Sequence, residues 1–349
     1  RGRPLARVAV AAAAGLAAAA AAVRAWAMGA AATKLKQVDA MVQMYFHGKR
    51  EFTRTGWLAH SATYPRPDPL ESADCRGRVA VVTGAGSGIG LEVARFWASR
   101  GGTVYLVCRN AERAERARAE IATGEGRGAV HVLLGDCGLS ADMRRVAQEI
   151  SAREAAVHCL VCNAGAITHD RTLTAEGHEV TFATHLLHGT YLLTEELLPV
   201  LGRTAGARVI CVSSGGMYCV KYDHAAATGS RGSYDPQLSY AYAKRGQVLL
   251  CEHWAQQRKE SAVFVSCHPG WVDTPAVAHA YGARKRYLEP MRSAWEGAEG
   301  ICWLAVAGAE ELESGAFYLD RAVQPKHRAR WTRSRDQAQA AGALARDLA

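Results

Sequence analysis

Acidic residues are missing from the first 38 positions, asparagine occurs only at Asn110 and Asn163, and long apolar runs are lacking. Each shortage removes an explanation. The apolar run near the start, Val8 to Val23, is 16 residues of mostly alanine. A membrane-spanning helix needs roughly 20 apolar residues, and alanine inserts only marginally. The acid-free start carries six Lys/Arg and +6, and residues 321–349 carry +5, which leaves −2 of the formal +9 for residues 39–320. That body lacks the basic patch of a nucleic-acid binder, so no such partner is expected. The two asparagines confine any task needing that side chain to two places.

The ten cysteines lie scattered in hydrophobic segments, where cysteine behaves as a small apolar residue. Cys159 and Cys162 have metal-like spacing, but "AVHCLVCNAG" reads as a buried strand. Residues three apart in a strand point to opposite faces, which argues against zinc or dithiol chemistry. No metal site is expected, and a reducing compartment fits best.

Residues 1–38 form an Ala/Arg-rich leader. Arg-containing, acid-free leaders suggest organellar targeting, to chloroplast or mitochondrion, although this one has no serine. A weak membrane anchor and a disordered extension are the alternatives, with membrane-associated or cytoplasmic placement to match. Residues 39–76 are an N-terminal extension, whose "YFHGKREFTRTGW" could pack on the domain or touch a membrane. Residues 323–349 are a basic C-terminal tail.

From Arg78 the pattern becomes regular. "RVAVV", "TVYLV", "VHVLL", "VHCLV", "ARVICV" and "AVFVSC" are continuously apolar, alternate with helical segments, and end in a short strand at "GAFYL". Strands without polar alternation belong to a parallel sheet covered on both faces. No internal repeat is visible. The expectation is α/β: a single doubly wound Rossmann domain over 77–322, with a parallel sheet of about seven strands and helices on both faces.

"VVTGAGSGIG" places Thr83, Gly84, Gly86, Ser87, Gly88, Ile89 and Gly90 between the first strand and a helix. A dinucleotide pyrophosphate needs close backbone approach at a helix N-terminus, which glycine permits. Further on, "SYAYAKR" sets two tyrosines before a lysine. Lys244 follows Tyr240 by four residues, about 40° around a helix, so the two share a face. Tyr242 lies about 200° from Lys244 and points elsewhere. A neighbouring ammonium favours the phenolate, so Tyr240 is the acid–base candidate and Tyr242 a packing residue.

The Thr-Gly-x3-Gly-Ile-Gly spacing resembles the short-chain dehydrogenase/reductase superfamily. "CNAG", "VSSGG", "YAYAK" and "HPGWVDTP" resemble its later landmarks, in family order. The segments "GGTVYLVCRNAERAERARAEI", "RVICVSSGGM" and "YFHGKREFTRTG" extend the likeness to one branch over residues 45–327. The resemblance implies an oxidoreductase interconverting a carbonyl and a hydroxyl on a small apolar molecule. It implies cofactor contacts at Asn163, Ala164, Gly165, Pro269, Gly270 and Thr274, and at Asp136 beside the adenine. Ser213 and Ser214 end a strand, and alternation sends only one toward the site; the family pattern favours Ser214. Lys244 would hold the nicotinamide ribose as well as assist Tyr240.

Where an NAD enzyme carries an acid after the second strand, this chain has Arg109. An arginine there can meet a 2′-phosphate through charge-assisted bonds, which favours NADP(H) and leaves NAD(H) possible. Loop 276–290, with Arg284, Lys285 and Arg286, is expected over the pocket, and the family habit suggests a homo-oligomer. One departure stands out. Many members carry an asparagine in the long helix as part of a proton relay; "FATHLLHGTYLLT" has none: His185 or Leu186 fills that slot, and His185 or His188 could relay instead. A catalytically weak nucleotide-binding scaffold or redox sensor is therefore the alternative function.

Overall fold

The computed structural model describes residues 34–122, 128–165, 167–230, 234–333 and 337–349. Positions 1–33, most of the expected leader, lie outside the described residues. The apolar runs become β1 (Val79–Thr83), β2 (Thr103–Cys108), β3 (Val130–Leu134), β4 (Cys159–Cys162), β5 (Arg208–Val212), β6 (Val263–Cys267), β7 (Phe317–Leu319) and β8 (Ala322–Gln324). They form one sheet in the order β3-β2-β1-β4-β5-β6-β7-β8, parallel except for the β7–β8 hairpin. This is the doubly wound arrangement, with eight strands where about seven were expected. The eighth is three partly exposed residues with no apolar signal. Its turn uses Asp320 and Arg321 at φ +49° and +66°, the handedness a two-residue hairpin needs.

Alternation along the strands feeds two cores. Val79, Val81, Leu160, Cys162 and Val209 face the helices Ser140–Arg153 and Pro236–Gln257 and the helical stretch 180–201. Ala80, Val82, Cys159, Val161 and Ile210 face Gly88–Ser99, Ala111–Ala122 and Ala294–Val306. Each fully buried Val, Leu or Ile contributes roughly 1.5–3 kcal/mol, so the paired layers hold the strand ends in place. Cys159 and Cys162 lie on opposite faces of the sheet, and all ten cysteines are buried and free.

The flanking segments are more structured than expected. A helix runs through 34–51, and Phe52 behind it is buried against Met217, Tyr218 and Phe317. Within the basic C-terminal segment, the helix Gln337–Leu348 sets Ala341, Leu344, Ala345 and Leu348 into the main core. Region 276–290 is mostly helical, as Pro275–Tyr281 followed by a tighter turn at Gly282–Leu288. Among the described residues no helix is long and apolar enough to cross a membrane.

Candidate active site

The carboxyl ends of β1, β4, β5 and β6 lie side by side in the sheet, and the strand order reverses between β1 and β4. Ligands of open α/β sheets bind at such a point. After β1 the chain turns through Gly84 (φ +66°) and Gly88 (φ +57°) into the helix Gly88–Ser99. Ser87 precedes this helix in extended conformation, and its side chain makes no capping bond. The first-turn N–H groups of Gly88, Ile89 and Gly90 are thus left to an incoming anion. A Cβ on Gly90 would stand 2.6 Å from both the Asn163 amide nitrogen and the Gly84 carbonyl oxygen. The residues present fit a dinucleotide, because the turn offers bare backbone at the position a phosphate would take.

Thr83 and Asn163 tie β1 to β4. The Thr83 hydroxyl accepts the N–H groups of Asn163 (3.0 Å) and Ala164 (2.9 Å), and the Asn163 amide donates to the Thr83 carbonyl (2.9 Å). Their demonstrated contacts are with each other. Gly165 lies under the His185 ring, which leaves no space for a Cβ. At the other wall, Thr274 caps the helix Pro275–Tyr281, and its methyl would lie 3.2 Å from a Cβ on Gly88. Gly270 (φ +81°) packs against the Arg292 guanidinium, and the Pro269 carbonyl accepts from it at 3.4 Å. Of the expected cofactor contacts, Gly84, Gly90, Asn163 and Ala164 adjoin one another, Gly88 adjoins Thr274, and Pro269 and Gly270 adjoin Arg292.

Arg109 follows β2 and faces Asp136, just past β3, at 3.9 Å. Its side chain is 68% exposed, so the guanidinium is available to a ligand. Asp136 accepts the Gly138 N–H at 2.8 Å, which fixes the turn after β3.

The two serines after β5 separate as alternation requires. Ser213 is buried, and its hydroxyl donates to the Lys244 carbonyl at 2.8 Å. Ser214 caps the short turn Gly215–Cys219, accepts the Gly216 N–H at 3.2 Å, and lies close enough to the Tyr240 hydroxyl to lower its pKa. Tyr240 and Lys244 stand on the helix Pro236–Gln257, which begins at Asp235 and Pro236, a capping carboxylate followed by a ring already set for the first turn. The Lys244 ammonium lies 5.6 Å from the centre of the Tyr240 ring. Tyr242 is turned to another side, where its hydroxyl accepts from Gln37 at 3.5 Å.

Burial dominates the electrostatics. It pushes the Tyr240 hydroxyl up to about 12, against the lowering effect of Ser214, and pushes Lys244 down to about 7. Ordinary cysteine chemistry is suppressed nearby: burial moves the Cys267 thiol up to about 12.

Of the histidines on the long helix, His185 lies edge-on to Tyr240, ring centres 5.2 Å apart. His188 turns away, with Nδ1 2.9 Å from the Gly138 carbonyl and Nε2 3.8 Å from Glu176. Leu186 is wholly buried in the core. Glu176, His178 and His188 form a grouping whose ligand atoms lie within 4.8 Å of one another. Neither it nor two further residues stood out in the sequence. Tyr281 comes close enough to act on the Tyr240 hydroxyl electrostatically, which brings the end of the helix Pro275–Tyr281 near it. Gln247, wholly buried, contacts Lys244. Its signal was a polar residue inside the apolar stretch "GQVLLC", three residues past the lysine. The cations of region 276–290 are less engaged: Lys285 pairs with Asp273 at 2.7 Å, and Arg286 donates to its neighbour Tyr287 at 3.0 Å.

The family model for short chain dehydrogenases matches residues 78–284. Dehydrogenase/reductase SDR family member 12 of Bos taurus is 41% identical over 283 residues, covering 80% of this chain and 87% of that protein. Retinol dehydrogenase 11 of Homo sapiens is 35% identical over 248 residues, 70% of this chain and 77% of that one. Among solved structures, an uncharacterized protein from Mycobacterium paratuberculosis superposes with TM-score 0.62 at 25% identity, covering 80% of this chain and 96% of its own. The NADPH-dependent 3-quinuclidinone reductase of Rhodotorula rubra superposes with TM-score 0.57 at 21% identity, covering 73% and 93% respectively.

Proposed function

This chain belongs to the short-chain dehydrogenase family and is an NAD(P)-dependent oxidoreductase; from that premise we propose that it reduces the carbonyl of a small apolar molecule with NADPH. The observation that carries the reading is the grouping of Ser214, Tyr240 and Lys244, with the Lys244 ammonium 5.6 Å from the centre of the Tyr240 ring. When bound, the nicotinamide cofactor supplies the hydride; the side chains supply the proton and the setting. Gly84, Gly88, Ile89 and Gly90 would hold the pyrophosphate, Asn163, Ala164, Gly165, Pro269, Gly270 and Thr274 the nicotinamide side, and Arg109 the 2′-phosphate. Lys244 would also meet the ribose.

Tyr240 gives its proton to the developing alkoxide, and Ser214 donates a hydrogen bond to the same oxygen. A phenol pushed up to about 12 is protonated at neutral pH and ready to act as the acid. Alcohol oxidation would need the phenolate instead, a form that burial makes scarce at neutral pH. Lys244, near 7, is partly ammonium at neutral pH and eases loss of the Tyr240 proton. Tyr281 near Tyr240, with Cys219 and Met217 buried in the neighbouring turn, gives the pocket an apolar character.

The redox-sensor reading finds no support in the thiols: all ten are buried, and burial makes thiolates costly. Membrane association through the N-terminus rests on Leu35, Val38, Val42 and Phe46, exposed together along the 34–51 helix. Flotation with liposomes tests it, and size-exclusion light scattering tests for a homo-oligomer. The function itself is tested by NADPH oxidation against a panel of apolar aldehydes, ketones and quinones. Turnover of at least one is expected; cofactor binding with no turnover on any would favour the scaffold.

A further inference from the structure

A buried ammonium has three N–H bonds to satisfy. Lys244 finds two acceptors: the Val212 carbonyl at 2.6 Å and the Gln247 side-chain oxygen at 3.1 Å. Gln247 is itself fully buried, and an amide can in principle stand either way round. Its surroundings allow one orientation. On its far side lie the His185 carbonyl at 2.9 Å and the Thr190 hydroxyl at 3.0 Å. The carbonyl can only accept. The hydroxyl already spends its proton on that same carbonyl, at 2.7 Å, so toward Gln247 it too accepts. Both neighbours take hydrogens, so the amide nitrogen must face them and the oxygen is left for Lys244.

The geometry depends on a widened turn. Residues Ala183–Leu192 adopt π-helical spacing, which brings the Thr190 hydroxyl onto the carbonyl five residues before it. Such turns interrupt α-helices most often at functional sites.

Among the described residues, the ionisable groups that act on Lys244 supply it with no opposing charge. Cys162 on β4, Cys211 on β5 and Cys267 on β6 act on it, all neutral thiols. Contact with Cys211 and then burial raise Cys162; contact with Cys162 lowers Cys211, but contact with Cys251 and burial raise it further; burial raises Cys267. His268, beyond β6, is held neutral by burial, and Tyr240 by the same effect on its own helix. The Arg245 guanidinium points away, donating to the Lys326 carbonyl at 2.8 Å. No carboxylate figures among the groups acting on Lys244.

We propose that Gln247 is a positioning residue for Lys244: its amide anchors the ammonium to the His185–Thr190 turn and sets the charge presented to Tyr240. It does so on a helix that lacks any asparagine. The inference rests on Tyr240 and Lys244 being the acid–base pair.

The test uses the full chain with 13C-labelled lysine side chains, the Lys244 signal being assigned by its loss in Lys244→Met. The titration midpoint of Lys244 is read in the unmodified protein, in Gln247→Met and in Gln247→Glu, alongside the pH profile of kcat/KM. Methionine keeps the length and removes the polar contacts, while Thr190 still satisfies the His185 carbonyl. The midpoint should fall by about one pH unit in Gln247→Met, and the alkaline limb of kcat/KM should move with it. In Gln247→Glu the midpoint should hold or rise, because a carboxyl oxygen faces the ammonium. A folded Gln247→Met protein with unmoved midpoint and limb overturns the proposal. Should that variant not fold, a fallen midpoint in Gln247→Glu overturns it. The titration needs no turnover, so absence of catalysis would sink the acid–base reading while the Gln247 contact is still judged.

Discussion

A single side chain separates the two cofactor readings. Arg109 occupies the position where an acid would bind an unphosphorylated ribose, and its exposure leaves it free to turn to a phosphate. Arg109→Glu should reverse the preference between NADPH and NADH, read by nucleotide fluorescence titration; tighter NADH binding in the unmodified protein would contradict the assignment. Lys244 makes a second prediction. Its midpoint near 7 means the ammonium is lost as pH rises, so kcat/KM for reduction should fall above about pH 7, tending to tenfold per unit. A flat profile to pH 9 would remove Lys244 from the mechanism. The sequence distinguished Tyr240 from Tyr242, because helical angle depends on spacing alone. It could not distinguish Gln247 from any other polar residue in a helix, because the orientation of its amide is set by a carbonyl 62 residues away.

At the scale of elements, the strands and the glycine turn were legible because their signals are local. Apolar runs bounded by glycine define β1 to β6, and bare backbone defines the turn. Less legible were β8, whose three residues pair through a turn held by ionic contacts, and the π-helical segment, whose spacing no composition encodes. The turn yields its own prediction. Gly90→Ala forces a methyl against backbone and the Asn163 amide, neither of which can yield, so it should cost about 1–3 kcal/mol in urea unfolding and abolish nucleotide binding. Retained binding with unchanged stability would mean the turn is looser than described. The helix Gln337–Leu348 escaped notice for another reason: its alanines become core only against the helix Pro236–Gln257.

Across the whole molecule, the N-terminal extension is clasped to the far edge of the sheet. Arg292 and Asp320 form a buried pair at 2.5 Å, and Arg292 also donates to the Glu51 and Phe52 carbonyls. His60 bridges Asp320 at 2.7 Å and Glu51 at 2.9 Å. The Asp320 bond raises the His60 imidazole, outweighing burial. A raised imidazole stabilises the fold below its ordinary 6.5 and loses that contribution as pH rises through its folded value. Burial would raise Asp320, but its bonds to His60 and Arg292 hold it below its ordinary 3.8, so its contribution is lost in acid. The clasp's own contribution to stability should therefore be greatest between about pH 4 and 6.5. His60→Gln should lower stability by about 1 kcal/mol at pH 6 and by less as pH rises through the imidazole's folded value, measured by urea unfolding of both proteins. An unchanged pH dependence would show that the clasp does not contribute. No pattern along the chain announced this contact, since its partners lie some 260 residues apart.

Turnover tests the account at its centre. With a carbonyl substrate found by the panel, NADPH oxidation is compared in the unmodified protein, Tyr240→Phe and Tyr242→Phe, with nucleotide affinity measured in each. Tyr240→Phe should lose at least a thousandfold in kcat while binding NADPH unchanged, and Tyr242→Phe should stay within about threefold. Full activity in Tyr240→Phe, or loss in Tyr242→Phe alone, would contradict the assignment of Tyr240 as the acid.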